Sequence, residues 1–448
     1  MAPKNRIIID TDPGVDDVLA ILLALSASPE DLEVVMVSVT YGNIPLQGCL
    51  RNVVALFHVL EKEMAWREAS GRSNGAFGAL KAFKPIVAIG AEHALEDEIL
   101  MADHFHGADG LHGVHEAHPD LTPSETWRSL FAEGEAPAPS DALSFSSYFT
   151  PSKTPSHKEI LRILKEEPAD TITIIAIGPL TNMALAAAED PETFLRVKEL
   201  VVMGGAVHIE GNITPVAEFN CYADAVAAAR VYALTSPTPA STMPPTVPGG
   251  KPSTLPAYPA KLSRPLNLTL FPLDITTPHL LNKNFFLESI AAPEQAGSPL
   301  ARWCKTFMVG TFNKIDSMLG DGSEPGLSLH DPLCVWYMML RDDARWTPTP
   351  APEDLRVETA GQWTRGMHVV DRRQRSKPGD HTEGFASVSA NATVLDDDGN
   401  TSEIADDGNV PGDTMGWLNV RKGNRIRRMV GSPGELAFAE FLMKSLFV

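Results

Sequence analysis

A short β-branched run at the start of the chain leads through a turn directly into an apolar helical pattern. Residues 7–9 predict a buried strand, the Pro-Gly pair at 13–14 marks a turn, and residues 18–23 predict a helix. The block holds four carboxylates, Asp10, Asp12, Asp16 and Asp17. Carboxylates this close repel each other unless positive charge lies among them. Because open α/β sheets bind ligands beyond the carboxyl ends of their strands, the block predicts a site for a divalent, oxygen-loving cation.

Strand-like and helical patterns alternate along most of the chain. Apolar strand-like runs cover residues 7–10, 34–40, 86–90, 171–177, 200–203 and 266–273, and the last third adds 355–358, 367–371 and 386–394. Helical patterns start at 18 and cover 46–60, 158–166, 181–188, 224–234 and 435–446. This rhythm is typical of βαβ units. It predicts an α/β fold, a single Rossmann-like open and mostly parallel sheet flanked by helices, with extra C-terminal strands.

Three segments interrupt this rhythm and are interpreted as surface insertions or mobile loops. Residues 116–156 and 236–264 are rich in Pro, Ser, Thr and Ala, and residues 372–384 are charged. The apolar pattern resumes after each of them. We therefore expect one elaborated domain over residues 1–448, with independent domains as the weaker alternative.

Composition limits the partners that this chain can have. The 448 residues carry 37 basic and 57 acidic side chains, a net charge of −20, which argues against binding to nucleic acids or anionic membranes. No apolar run approaches the roughly 20 residues of a membrane helix. The four cysteines are scattered, without CxxC or zinc spacing. They predict buried free thiols in a reducing compartment, hence a cytoplasmic protein.

The N-terminal block and further segments resemble the nucleoside hydrolase family, whose signature is an apolar strand followed by DxDPGxDD. Every fixed position of that signature is present at residues 10–17. Other family-like segments follow in order, at 39–43, 106–110, 178–182, 203–205, 211–212, 218–220, 272–274 and 330–332. The resemblance implies hydrolysis of ribonucleosides to free base and ribose, in a protein expected to form a homodimer or homotetramer.

The resemblance also implies a calcium site. Asp12, Asp17 and Asp331 would supply carboxylates, and Ile177 a backbone carbonyl, which suits an ion that prefers six to eight oxygen ligands. Magnesium is the less favoured alternative. Asp10 would orient its neighbours from behind the site.

Asp12 would serve a second purpose as general base on a calcium-bound water, since the cation lowers the pKa of water from about 15.7. Breaking an N-glycosidic bond builds positive charge on the ribose in an oxocarbenium-like transition state. An anionic pocket floor stabilises that charge.

Ribose hydroxyls would be bound by two groups of polar residues, again by resemblance. Asp16 and Asn43 serve the 2′ and 3′ side, and Asn212, Glu218 and Asn220 the 5′ side. If the Glu-Phe-Asn triplet at 218–220 is extended, its two polar side chains share a face.

His330 is the predicted acid for the leaving base, because imidazole titrates near neutral pH. It fits the family branch in which histidine protonates the base. A purine-specific branch stacks the base between tryptophans, for which Trp303 and Trp336 are candidates. We expect a uridine-preferring or broad-specificity enzyme. Histidines 104, 106, 112, 115 and 118 are interpreted as a mobile lid beside the base.

Other interpretations of the same residues stay open at this point. Haloacid dehalogenase-type phosphatases also begin with DxD, but Gly14 stands where they have Thr or Val. Helix capping explains Asp16 and Asp17 without explaining Asp10 and Asp12. A non-catalytic nucleoside or pentose binder, or a hydrolase of a modified N-riboside, would keep the same pocket.

Overall fold

The N-terminal apolar run forms β1 (Asn5–Thr11), an interior strand next to the middle strand of the main sheet. The computed structural model describes residues 3–72, 77–96, 105–131, 148–244, 255–320, 322–373, 393–395, 401–403 and 412–447. Its α-helices are α1 (Val15–Ser26), α2 (Leu46–Ala69), α3 (Gly78–Ala82), α4 (Val114–Ala117), α5 (Ser156–Glu166), α6 (Thr181–Glu189), α7 (Pro191–Phe194), α8 (Phe219–Ala223), α9 (Ala225–Ala233), α10 (Leu273–Thr276), α11 (Lys283–Gln295), α12 (Pro299–Leu319), α13 (His330–Met339) and α14 (Glu435–Phe447). Its strands are β1 (Asn5–Thr11), β2 (Leu32–Val39), β3 (Ile86–Ile89), β4 (Thr150–Ser152), β5 (Ile172–Ala176), β6 (Glu199–Met203), β7 (Leu268–Phe271), β8 (Leu280–Asn282), β9 (Gly326–Ser328), β10 (Thr347–Pro348), β11 (Arg356–Val357), β12 (His368–Val369), β13 (Thr393–Leu395), β14 (Thr401–Glu403) and β15 (Arg427–Gly431).

Within these ranges the main sheet has nine strands in the order β10-β15-β7-β6-β5-β1-β2-β3-β4. All neighbouring pairs are parallel except β10 with β15. The chain runs outward from β1 through β2 to β4, then returns to β5 on the other side. This reversal places a crevice beyond the carboxyl ends of β1 and β5, where open sheets bind ligands.

Two hydrophobic layers cover the faces of the sheet. Ile7 and Ile9 belong to the layer under α1, α2, α12 and α13, while Ile8 belongs to the layer under α5, α6 and α9. Side chains alternate between faces along a strand, so a strand buried on both faces must be apolar throughout. The fold confirms the predicted α/β class.

The C-terminal third forms smaller structures beside the sheet. The predicted strands at 355–358 and 367–371 appear as β11 and β12, which pair with each other rather than with the main sheet. Only β13 of the predicted run 386–394 lies in the described residues, together with its partner β14. β15 is a parallel neighbour of β7 that the sequence pattern did not reveal.

Some boundaries differ from the prediction. α2 continues beyond the expected end at residue 60, because Arg67 in its last turns pairs with the buried Glu63 and donates to the Leu446 carbonyl. β4 lies inside the predicted insertion 116–156 and extends the sheet edge. Residues 132–147, 245–254 and 374–384 of the three predicted insertions lie outside the described residues.

All four cysteines are free and buried, as predicted. None of the helices in the described part of the chain is both long and apolar enough to span a bilayer.

Candidate active site

The turn between β1 and α1 buries its carboxylates at the crevice. We call residues 10–17 the carboxylate turn. Asp17 is pinned there because its carboxylate accepts from the Thr11 hydroxyl at 2.6 Å, from the Asp12 N–H at 3.2 Å and from the Gly14 N–H at 3.0 Å. These bonds satisfy donors at the start of α1, as an acidic side chain in a first helical turn does. Hydrogen bonds within its own segment therefore fix the position of the Asp17 carboxylate.

Asn43 joins the carboxylate turn from the loop after β2. Its backbone N–H donates to Asp12 Oδ2 at 2.7 Å, and its Nδ2 donates to the Asp12 carbonyl at 3.1 Å and to Asp17 Oδ2 at 2.9 Å. Asn43, which is predicted to bind the sugar, therefore also holds Asp12 and Asp17, two predicted metal ligands. Its side-chain oxygen is the group left for a further donor.

Asp331, the second residue of α13, reaches the same place from the far end of the chain. Carboxylate oxygens of Asp16, Asp17 and Asp331 lie within 4.8 Å of one another, and all three residues are buried. Asp12 is not a member of this group of three. It is nevertheless near enough for its charge to raise the pKa of Asp331.

Burial and mutual repulsion disfavour the charged forms of these carboxylates. Burial raises the pKa of Asp12 well above its ordinary value, and the charge of Asp17 raises it further. Burial, followed by the charge of Asp17, raises the pKa of Asp16 to about 8. The pKa of Asp331 is raised well above its ordinary range, first by burial and then by its acidic neighbours. A cation among these groups would reverse the effect.

The residues present fit such a cation. Asp12 Oδ1 is buried and has no hydrogen-bond partner among the residues that the structure describes. Glycines leave the space around this carboxylate open, since an added Cβ at Gly178 would lie 2.7 Å from Asp12 Oδ1 and one at Gly42 would lie 2.0 Å from Oδ2. A free carboxylate oxygen beside further carboxylates is the hard oxygen donor set that calcium or magnesium prefers.

Two further predicted residues lie at the edges of this cluster. The Ile177 carbonyl follows β5 and accepts from Asn220 Nδ2 at 2.9 Å, which leaves its second lone pair. Asp10 lies deeper, at the end of β1, where its Oδ1 accepts from Ser38 and from Asn182 Nδ2. Burial raises the pKa of Asp10 to about 7.

The triplet at 218–220 is not extended, so the condition under which Glu218 and Asn220 would share a face is not met. Glu218 is the N-cap of α8, which begins at Phe219, so Asn220 lies in the first turn of a helix. The Glu218 carboxylate accepts from the N–H groups of Asn220 at 2.7 Å, Cys221 at 3.0 Å and Gly205 at 2.8 Å. Glu218 is therefore held by backbone donors from two segments, and burial raises its pKa.

Asn212 lies at the rim of this group. Its Oδ1 accepts from the Phe219 N–H at 2.9 Å, and its side chain is exposed. The predicted 5′-side residues are thus connected to one another, since Asn212 and Glu218 both bind the start of α8 and Asn220 points back to Ile177.

His330 begins α13, directly before Asp331. Its Nδ1 lies 2.7 Å from the Thr276 hydroxyl, which orients the ring. Burial, assisted by the neighbouring His279, lowers the pKa of His330 to about 4. The imidazole is therefore neutral in this structure at neutral pH.

His106, which the sequence analysis assigned only to a lid, contacts the carboxylate turn. Its Nδ1 accepts the backbone N–H of Val15 at 3.1 Å, so the ring is fixed at the N-terminus of α1. Burial lowers the pKa of His106 to about 3, and the charges of His112 and His330 contribute. The family-like segment 106–110 was a signal for this residue, but its bond to Val15 could not be foreseen from spacing. His104 lies outside the described residues.

The two tryptophans considered for base stacking belong to the core instead. Trp303 is completely buried, and Trp336, 2% exposed, stacks on Phe438 with ring centroids 4.5 Å apart. Neither side chain is available to a base, so that assignment is wrong. Large aromatic side chains more often fill a core than a ligand site.

Comparison with known proteins identifies relatives over most of this architecture. The family model for inosine-uridine preferring nucleoside hydrolase matches residues 7–398. The non-specific ribonucleoside hydrolase RihC of Klebsiella pneumoniae is 28% identical over 365 residues, which is 82% of this chain and 88% of that protein. The pyrimidine-specific ribonucleoside hydrolase RihA of the same organism is 29% identical over 374 residues, with coverage of 82% and 88%. The solved structure of a plant nucleoside hydrolase covers 100% of both chains with a TM-score of 0.61 at 20% identity, a likeness in fold.

Proposed function

The chain belongs to the inosine-uridine preferring nucleoside hydrolase family, and we propose that it cleaves ribonucleosides with a calcium ion, with Asp12 as general base and His330 as general acid. Hydrolysis of an N-glycosyl bond is the activity named for its relatives. The reaction adds water across the bond between ribose and base, and yields the free base and ribose. Two groups must therefore handle protons on opposite sides of the sugar.

The observation that carries this proposal is the unpartnered Oδ1 of Asp12 among buried carboxylates. Asp12, Asp17, Asp331 and the Ile177 carbonyl would hold the ion, and calcium suits this all-oxygen set better than magnesium, which demands stricter geometry. Bound calcium supplies electrostatic activation, because it lowers the pKa of a coordinated water.

Asp12 takes the proton from the attacking water. Asn43 holds Asp12 Oδ2 through its backbone N–H, so Oδ1 is the oxygen left to act. The fixed carboxylate needs no reorientation when the bond forms, which is the advantage of a preorganised base.

The same negative charge stabilises the sugar as its bond to the base breaks. Positive charge then develops on the ribose ring, and Asp12, Asp16, Asp17 and Asp331 are buried around the site with little water to screen them.

Ribose hydroxyls are bound by Asp16 and Asn43 on one side and by Asn212, Glu218 and Asn220 on the other. The Asp16 carboxylate lies within 4.8 Å of oxygens of Asp17 and Asp331, so a hydroxyl bound there is close to the reacting centre. Buried groups that hydrogen-bond hydroxyls reject a sugar lacking them by large factors.

His330 protonates the base as it leaves. Burial favours the neutral ring, so this role requires the negative charge that develops on the leaving base to raise the pKa of His330. Thr276 holds one ring nitrogen and thereby directs the other toward the substrate side. The relatives named non-specific and pyrimidine-specific, together with the burial of Trp303 and Trp336, support a pyrimidine or broad preference.

Ribose release from uridine, cytidine, inosine and adenosine tests this proposal, with each assay run before and after removal of calcium by a chelator. We expect release that is lost on chelation and restored by added calcium, with uridine among the best substrates. Release that is insensitive to chelation would contradict the metal assignment. No release in the presence of calcium would favour a nucleoside or pentose binder.

A further inference from the structure

We infer that Asn52, held in place by His115, is a positioning residue that fixes the loop of His106 against the carboxylate turn and so governs departure of the base. The histidine loop is defined here as residues 105–113. The inference rests on the proposed function and deepens it, because it assigns control of the leaving-group side to residues outside the proposed metal and sugar ligands.

Asn52 joins two segments that otherwise belong to different parts of the chain. It projects from α2 and is completely buried. Its Nδ2 donates to the Pro13 carbonyl at 2.9 Å and to the Asp109 carbonyl at 3.1 Å. Pro13 lies in the carboxylate turn and Asp109 in the histidine loop. One amide group therefore ties both segments to α2.

The orientation of this amide follows from its partners. Both carbonyl oxygens can only accept, so the NH₂ group must face them and Asn52 Oδ1 must face the other way. There it lies 2.8 Å from His115 Nε2. His115 therefore donates from Nε2 to Oδ1, and this bond holds the Asn52 side chain in the orientation that serves both carbonyls.

The histidine loop is shaped for this close approach. Gly110 has a φ of 79°, and a Cβ added there would lie 2.8 Å from Asn52 Nδ2. A larger residue would push the loop away from α2 and would also be strained. The loop makes a second link to the turn, from the Val15 N–H to His106 Nδ1 at 3.1 Å. The loop and the turn are thus held together at two points.

This arrangement determines where His106 lies relative to the carboxylate turn and Asn43. A Cβ added at Gly14 would lie 2.8 Å both from His106 Nδ1 and from Asn43 Nδ2, so the ring lies beside the residue that clamps Asp12. This loop is the segment expected to lie beside the base, so release of Asn52 would let it move on the leaving-group side.

Four variants test this inference. Asn52→Asp puts a carboxylate oxygen against two carbonyl oxygens, and His115→Leu removes the group that orients the amide. His115→Gln keeps a donor for Asn52 Oδ1. The matched control is Thr306→Val. It removes the 2.7 Å contact between the Thr306 hydroxyl and Nε2 of His118, a histidine that follows His115 but lies outside the histidine loop.

The decisive quantity is the ratio of kcat for uridine to kcat for a nitrophenyl riboside, whose leaving group needs no proton. We expect Asn52→Asp and His115→Leu to lower the ratio by about tenfold, equivalent to about 1.4 kcal/mol. His115→Gln should restore most of it, and Thr306→Val should leave it unchanged. Equal losses on both substrates would overturn the inference and reduce Asn52 to a stabilising residue.

Amide hydrogen exchange gives a readout that does not depend on turnover. We expect faster exchange in residues 105–113 of Asn52→Asp and His115→Leu, with β1 and α13 unchanged. Unchanged exchange in the loop would also overturn the inference. If wild-type protein hydrolyses neither substrate, the proposed function fails, and the exchange experiment alone then decides whether Asn52 holds the loop.

Discussion

Gly178→Ala should impair the site without replacing any predicted ligand. Gly178 follows Ile177 at the end of β5, and its φ lies outside the left-handed region, so alanine brings no backbone strain. The added Cβ would lie 2.7 Å from Asp12 Oδ1 and 3.0 Å from Thr40 Cγ2. The perturbation is therefore steric and is directed at the carboxylate oxygen on which the proposed chemistry depends.

The size of the effect follows from that contact. Ordinary contact begins at 3.4 Å, so Asp12 Oδ1 must move by about 0.7 Å, the difference from 2.7 Å. Displacement of a reacting group by about 1 Å can cost about 10²-fold in rate, so we expect kcat to fall by nearly that factor. Calcium affinity should fall as well, because the same oxygen is a proposed ligand. Overpacking should reduce the free energy of unfolding by only about 1–3 kcal/mol.

Steady-state ribose release and calorimetric titration with calcium measure both effects. The control is Gly78→Ala at the start of α3, where the nearest atom to an added Cβ is Pro29 Cδ at 3.1 Å, near the other end of α1. This variant should keep wild-type kcat and calcium affinity. The reasoning would be refuted if Gly178→Ala kept kcat within about threefold of wild type and bound calcium normally.

Three further changes test other parts of the account. His330→Ala should lower kcat on uridine by about 10²-fold or more but barely affect a nitrophenyl riboside, since only the natural base needs a proton; equal losses would refute the acid role. Glu218→Ala leaves the N–H groups of Gly205, Asn220 and Cys221 without their acceptor. The free energy of unfolding in urea should therefore fall by about 2–4 kcal/mol, and KM should rise. An unchanged urea midpoint would contradict the assignment of Glu218 as the residue that holds these groups. Burial lowers the pKa of His368 to about 4 in the folded protein, whereas the pKa of the same histidine in the unfolded chain is near 6.5. As the pH falls, the unfolded chain therefore binds the proton first. Between about pH 6.5 and 4 this residue should lower the free energy of unfolding, by up to about 3 kcal/mol. Thermal unfolding of His368→Gln between pH 7 and 4.5 should therefore depend less on pH than that of wild type, and an identical slope would refute this assignment.

The parts of the fold that depend on local pattern were predictable. β1, the turn and α1 follow one another within the first 26 residues, and burial of Ile7, Ile8 and Ile9 on both faces of β1 follows from their apolar character. Part of the carboxylate turn is held by its own sequence, because Asp17 accepts from Thr11 and Gly14 within the same segment.

The parts that depend on distant contacts were not predictable. Glu218 caps α8 through the N–H groups of Asn220 and Cys221, but it also accepts from the Gly205 N–H, 13 residues away, and no local propensity contains that bond. The core positions of Trp303 and Trp336 depend on how α12, α13 and α14 pack. The bond between His106 and Val15 spans 91 residues. Sequence patterns indicate which residues carry the chemistry better than they indicate which residues hold those groups in place.

Asp12→Asn tests the central claim most directly, because it keeps an oxygen for the Asn43 N–H and removes only the basic carboxylate. The measurement is kcat for uridine hydrolysis at saturating calcium, with calcium affinity determined on the same sample. We expect kcat to fall by about 10³-fold or more while the protein remains folded and still binds calcium, with reduced affinity. Turnover close to wild type would contradict the account, because some other group would then have to activate the water.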